Sequence, residues 1–214
     1  MPDFKVHSEA GVLAGYAAGA LSLYFLNKSV YFSGLVFVSS YAGSIFPDID
    51  SDNSRTINII FNLLSVLGGF AAIYLLIDSP IKYAFLIPPC VYFFIKFAVS
   101  KIFKYYSRHR GIYHSIPMAV FISLLIFQIT YFKLGEISGF VIGISFLYGY
   151  LVHLILDEIN SLYNLKNSLG TALSIKGLDI YTTIIVYSGI FILTYINFEK
   201  LSNGFKYLIN LFNV

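Results

Sequence analysis

Apolar positions in this chain run in long blocks, not in stripes or alternations, and short polar breaks separate them. Seven blocks reach the roughly 17 residues that are the lower limit for a helix crossing a bilayer core of about 30 Å. They are Ala10 to Leu26, Val30 to Phe46, Thr56 to Ile77, Tyr83 to Ser100, Ser115 to Phe132, Ile137 to Leu156 and Ile180 to Phe198. Only short connections remain, so the pattern predicts an all-α fold. It is a polytopic transmembrane helical bundle forming one domain over residues 1–198. Beyond it Leu201, Phe205, Leu208, Ile209 and Phe212 recur at helical spacing among polar residues, which predicts an amphipathic interfacial tail over 199–214.

Irregularities inside the blocks refine this picture. The first block lies near the start, but Asp3, His7 and Glu9 beside Lys5 make a poor positive leader and more blocks follow, so it reads as a span and not as a cleaved signal. Gly11, Gly15 and Gly19 recur every four residues and leave one helix face bare for a close neighbour. Pro88-Pro89 should kink or interrupt the fourth block, and Lys96 should snorkel or face a polar cavity.

Composition removes the other classes. With 57% hydrophobic and 12% charged residues, the chain departs from the roughly 45–50% and 25% of soluble domains in the direction of a membrane protein. The +3 charge comes from 14 Lys+Arg against 11 Asp+Glu spread along the chain, so no nucleic-acid partner is expected and the bilayer is the first partner. Cys90 is the single cysteine, which excludes an internal disulfide and a cysteine-based zinc cluster.

If all seven blocks span, the connections alternate between two membrane faces. One face then collects every histidine, His7, His109, His114 and His153, together with Asp48, Asp50, Asp52, Asp157 and Glu158. That face carries eight basic residues near the helix ends (Lys5, Arg55, Lys101, Lys104, Arg108, Arg110, Lys166, Lys176) against five opposite (Lys28, Lys82, Lys133, Lys200, Lys206). The positive-inside rule places it in the cytoplasm. Re-entry of any block would break this parity, and the weakest is Val30 to Phe46.

The gathered residues are metal-ligand types. His153 and Asp157 stand four apart on one helix face, where an imidazole and a carboxylate can share a divalent ion, although a histidine hydrogen-bonded within a bundle gives the same spacing. In Pro47-Asp48-Ile49-Asp50-Ser51-Asp52 the proline ends the preceding helix, and alternate carboxylates can converge on one cation or bridge two. Calcium of the EF-hand kind is excluded, because Asn53 and Asn58 replace the glycine and glutamate that loop needs. Arg108-His109-Arg110-Gly111-Ile112-Tyr113-His114-Ser115 sets two imidazoles beside two guanidiniums suited to bidentate phosphate contact. His7 is promoted only by standing at the mouth of the first helix on the same face. More than four nitrogen and oxygen ligands fit zinc, or manganese as an alternative, with two or more ions. Serine-based hydrolysis is disfavoured, since no Gly-x-Ser-x-Gly elbow occurs.

His7-Ser8 ahead of a glycine-rich helix, Phe46-Pro47-Asp48-Ile49-Asp50, His109-Arg110-Gly111-x-x-His114-Ser115 and His153-x-x-x-Asp157 together resemble the YdjM-type membrane-bound metal-dependent hydrolases. That family is considered distantly similar to zinc-dependent phospholipase C and the P1-type nucleases. The resemblance spans Phe4 to Asn160. It implies that His7, Asp48, Asp50, His109, His114, His153 and Asp157 are metal and catalytic residues. Tyr113 departs from it, because the family has threonine there, which bears on substrate contacts more than on metal.

The expectation is therefore a hydrolase of the bacterial or archaeal cytoplasmic (inner) membrane, cleaving a phosphoester in a lipid or lipid-linked substrate. In it His7, Asp48, His114, His153 and Asp157 hold metal, and Asp50 bridges ions or acts as base. His109, Arg108 and Arg110 meet the phosphate or stabilise its developing charge. The rivals are an intramembrane metalloprotease, weakened by the missing His-Glu-x-x-His, and a divalent metal transporter, for which Gln128 and Lys96 are the obvious polar residues toward the opposite face.

Overall fold

A computed structural model describes residues 4–26, 29–50, 55–76, 80–101, 113–163 and 180–212. Among them all regular structure is helical. In chain order come α1 (Phe4–Leu26), α2 (Val30–Ile45), a 3-10 turn (Pro47–Asp50), α3 (Arg55–Leu75), and α4 (Ile81–Phe93) widening into a π-helical stretch (Phe94–Val99). There follow α5 (Ile116–Leu134), α6 (Glu136–Tyr163), α7 (Ile180–Ile196) and α8 (Phe198–Phe212).

Among the described residues four helical stretches are long and apolar enough to cross a membrane: Lys5–Leu26, Ile81–Val99, Ile116–Leu134 and Glu136–Asn160. A fifth results if α7 and α8, bent by 76° at their junction, count as one. The expectation was seven. The main reason for the shorter count is α2, whose 16 residues extend about 24 Å at ~1.5 Å per residue and stop short of a ~30 Å core.

The chain divides into two units. The second, Asp48–Arg110, holds α3 and α4. Its helices meet where Gly68 faces Val91 and Ile95 and Gly69 faces the Pro88 carbonyl. Pro88 and Pro89 lie inside α4, and the helix is carried through them before loosening into the π-helical stretch. Lys96 finds a polar partner on its own helix. Its ammonium donates to the Tyr92 hydroxyl at 2.9 Å, four residues earlier on its own helix.

The first unit, Met1–Pro47 with Gly111–Val214, carries the other helices. Gly11, Gly15 and Gly19 of α1 lie against Ser44, Phe37 and Ser33 of α2, which is the tight packing their spacing predicts. Helix α5 turns into α6 at Gly135, whose φ of +82° is open to glycine and strained for other residues. The 28-residue α6 is the spine: Phe146, Tyr150 and Leu154 form the buried core with Met118, Ala119 and Val186. At the α7 to α8 bend Asn197 is buried, and its side-chain amide donates to the Leu193 carbonyl at 2.9 Å. The predicted tail is thus a helix, seated on α6 by an edge contact between Phe205 and Phe140 at 4.9 Å.

Candidate metal centre

Three local rules bring histidines to one end of the first unit. His7 lies in the opening turn of α1 and is 1% exposed, unusual for a residue so near a terminus. His114 immediately precedes Ser115, the N-cap of α5, whose hydroxyl accepts from the Met118 amide at 3.3 Å while Pro117 sits in the first turn. His153 and Asp157 occupy the last turns of α6 and share one face through their four-residue spacing. All four side chains are buried.

They converge on one carboxylate. His7 Nε2 stands 3.3 Å from Asp157 Oδ1, and His114 Nε2 and His153 Nε2 each stand 3.4 Å from Asp157 Oδ2. Two ligands about 2.0–2.2 Å from a tetrahedral zinc are separated by about 3.3–3.6 Å, so these spacings match a shared ion. Ligand atoms of His114, His153 and Asp157 all lie within 4.8 Å of one another. The His7 and His153 rings stack at 3.8 Å, with His114 tilted across at 5.4 Å. Among the described residues neither ring nitrogen of His7 and neither carboxylate oxygen of Asp157 makes a hydrogen bond. Buried polar atoms left this way are costly unless a proton on a facing imidazole or a bound cation answers them. The donor set therefore fits a divalent metal.

The neighbouring backbone prepares the ligands. His153 Nδ1 lies 2.6 Å from the Ser44 carbonyl oxygen. A carbonyl only accepts, so Nδ1 carries the proton and Nε2 presents its lone pair toward Asp157 and His114. Ser44 reaches His153 because α2 and α6 touch through backbone: Gly43 faces the Phe146 carbonyl and the Tyr150 amide, and Gly149 faces the Ser40 carbonyl. Ser39 Oγ ties the pair by donating to the Ile142 carbonyl at 2.8 Å. The His114 side is anchored by Tyr150, fully buried, whose hydroxyl donates to the Tyr113 carbonyl. Tyr150→Phe is expected to leave the fold intact and weaken metal affinity about 10- to 100-fold, the range for partners that orient ligands. Competition with a fluorescent zinc chelator measures it, and unchanged affinity refutes the anchoring role.

The other expected residues are placed as follows. Asp48 is half-buried in the 3-10 turn directly after buried Pro47 and begins the second unit. Asp50 closes that turn; its side chain, with Arg108, His109 and Arg110, lies outside the described residues. Glu158 is half-buried next to Asp157. Sequence reasoning missed Ser44 and Tyr150, and also the bond between Ser8 Oγ and the Tyr41 hydroxyl at 2.9 Å beside His7. A usable signal for Ser44 was the small-residue set Ser39, Ser40, Gly43 and Ser44, which marks a helix face built for contact. For Tyr150 it was the three-residue spacing to His153.

A family model described as YdjM inner membrane protein matches residues 1–196. No curated protein and no solved structure matches the chain.

Proposed function

The chain belongs to the YdjM inner membrane protein family, and from that premise we propose that it is a membrane-embedded metal-dependent hydrolase, cleaving a phosphoester in a lipid or lipid-linked substrate. The observation that carries this reading is the convergence of His7, His114 and His153 on the two oxygens of buried Asp157. A divalent ion held there, zinc or manganese, supplies Lewis acidity that brings the pKa of water toward neutrality and neutralises charge on a phosphoryl group. The distant kinship to phospholipase C and P1-type nucleases belongs to the same reading, as does the cytoplasmic placement drawn from the lysine and arginine bias.

The chain's own groups divide the work. Asp157 supplies negative charge to the ligand set, and His153, oriented by Ser44, supplies a neutral nitrogen from its Nε2. Asp48 and Asp50 add carboxylates from the turn that follows Pro47, with Asp50 suited to accept a proton. Arg108, His109 and Arg110 supply the cationic contacts that orient a phosphate and offset its developing charge. Beneath the cluster α6 continues as Leu154, Tyr150 and Phe146, packed against Met118 and Ala119.

The test is turnover of labelled phospholipids by purified protein in nanodiscs with zinc or manganese. Activity is expected to disappear with chelator and to fall at least ~100-fold in His114→Ala, as loss of an electrostatic or ligating group at a reaction centre typically does. Turnover that survives both His114→Ala and Asp157→Asn would overturn the proposal.

A further inference from the structure

The first unit contains a cavity remote from the histidines. It measures about 280 Å³ and lies between the C-terminal half of α1, the N-terminal half of α6 and the end of α8. Ser22, Val141 and Ser145 form its buried floor, while Leu21, Phe25 and Tyr148 at its rim are exposed. Leu208 of α8 lies across it.

The chemistry of this lining selects the occupant. The two hydroxyls of its buried floor are engaged by protein: Ser22 Oγ donates to the Gly19 carbonyl at 2.8 Å and pairs with the Ser33 hydroxyl at 3.0 Å, and Ser145 Oγ donates to the Val141 carbonyl at 2.7 Å. Ordered water needs two to four polar partners, and a headgroup needs at least as many. Neither finds them here. The walls belong to two helices that qualify as membrane spans, Lys5–Leu26 and Glu136–Asn160, and the rim is exposed where such helices meet lipid. The cavity persists because α8 is held on α6 by the Gly204 and Phe205 contacts with Phe140, before Leu208 is reached.

Position distinguishes it from the metal centre. Ala18 to Leu26 stand about 17–28 Å from His7 along α1 at ~1.5 Å per residue, so the cavity lies toward the membrane face opposite the histidines. We propose that this cavity holds one acyl chain of a membrane phospholipid whose headgroup sits at that opposite face, a bound lipid that fastens α8 to the bundle. It is independent of the hydrolase reading.

The chain has no tryptophan, which makes a single introduced indole a clean reporter. Tyr148→Trp, at the rim, is compared with Phe191→Trp on α7, where the side chain is 71% exposed. Both are reconstituted in phosphatidylcholine brominated at mid-chain, then extracted into detergent and purified. Both are expected to be quenched in the bilayer. After extraction Tyr148→Trp should remain at least twofold dimmer than the same variant from unbrominated lipid, while Phe191→Trp recovers fully. Adding Leu208→Phe or Ser145→Phe should abolish the retained quenching with metal content unchanged, and either variant that stays folded suffices. Full recovery of Tyr148→Trp on extraction overturns the proposal. So does quenching in the bilayer that fades as the protein-to-lipid ratio rises, which would put a second copy of the chain in the cavity.

Discussion

Asp157→Asn is expected to abolish stoichiometric binding of divalent metal while leaving the helical bundle assembled. The substitution keeps the shape of the side chain and removes its charge. In the native protein one carboxylate faces three imidazoles, with His7 on Oδ1 and His114 and His153 on Oδ2, so a single change strips the anionic partner from all three at once. Loss of a partner that merely orients a ligand costs about 10- to 100-fold in affinity, and loss of the ligand itself should exceed that. A second readout follows from linkage. Metal that binds only the folded state stabilises it by about 2.7 kcal/mol at a hundred times its Kd. Added zinc should therefore raise the thermal midpoint of the wild type and leave Asp157→Asn unmoved. Elemental analysis alongside thermal denaturation measures both, and an unaltered zinc content with an unaltered midpoint shift rules the site out.

Gly149→Ala is expected to be strongly damaging. Its Cβ would run into the Ser40 carbonyl oxygen and lie 3.1 Å from Ser40 Cα, so the obstacle is backbone and cannot rotate aside. Overpacking of this kind costs about 1–3 kcal/mol and occasionally more. The consequence reaches the metal centre, because moving α2 off α6 withdraws the Ser44 carbonyl from His153 Nδ1. Both the thermal midpoint and metal affinity should fall together. Gly34→Ala is the control: nothing stands within 4 Å of a Cβ there, and alanine is better than glycine inside a helix by about 0.5–1 kcal/mol. It should be neutral or stabilising in the same assays. If Gly149→Ala behaves like Gly34→Ala, the close approach of α2 and α6 does not govern the site.

Much of the centre was legible along the chain because its signals are local. The i, i+4 pair His153 and Asp157 fixes a shared helix face, Ser115 with Pro117 marks a helix start that carries His114 with it, and Pro47 ends a helix just before Asp48. Helix count was less legible. Hydropathy measures how apolar a block is, whereas crossing depends on helical length, and α2 is apolar yet has only 16 residues. The junction near Asn197 was legible as a change from a fully apolar span to an amphipathic tail; the 76° bend there was not, since Ile180 to Phe212 contains no proline.

By itself, then, the sequence determined that the solvent is lipid, that the fold is helical, which family the chain joins and which ligand types it holds. Each of these follows from composition, from spacing within one helix, or from short motifs in order. Only the tertiary structure decided that His7 and His114 meet Asp157, that Ser44 sets the tautomer of His153, and that α8 covers an apolar cavity far from the metal centre. These depend on which faces of helices distant in sequence come into contact, and that choice is made by backbone fit at Gly43 and Gly149, which no pattern along one segment contains.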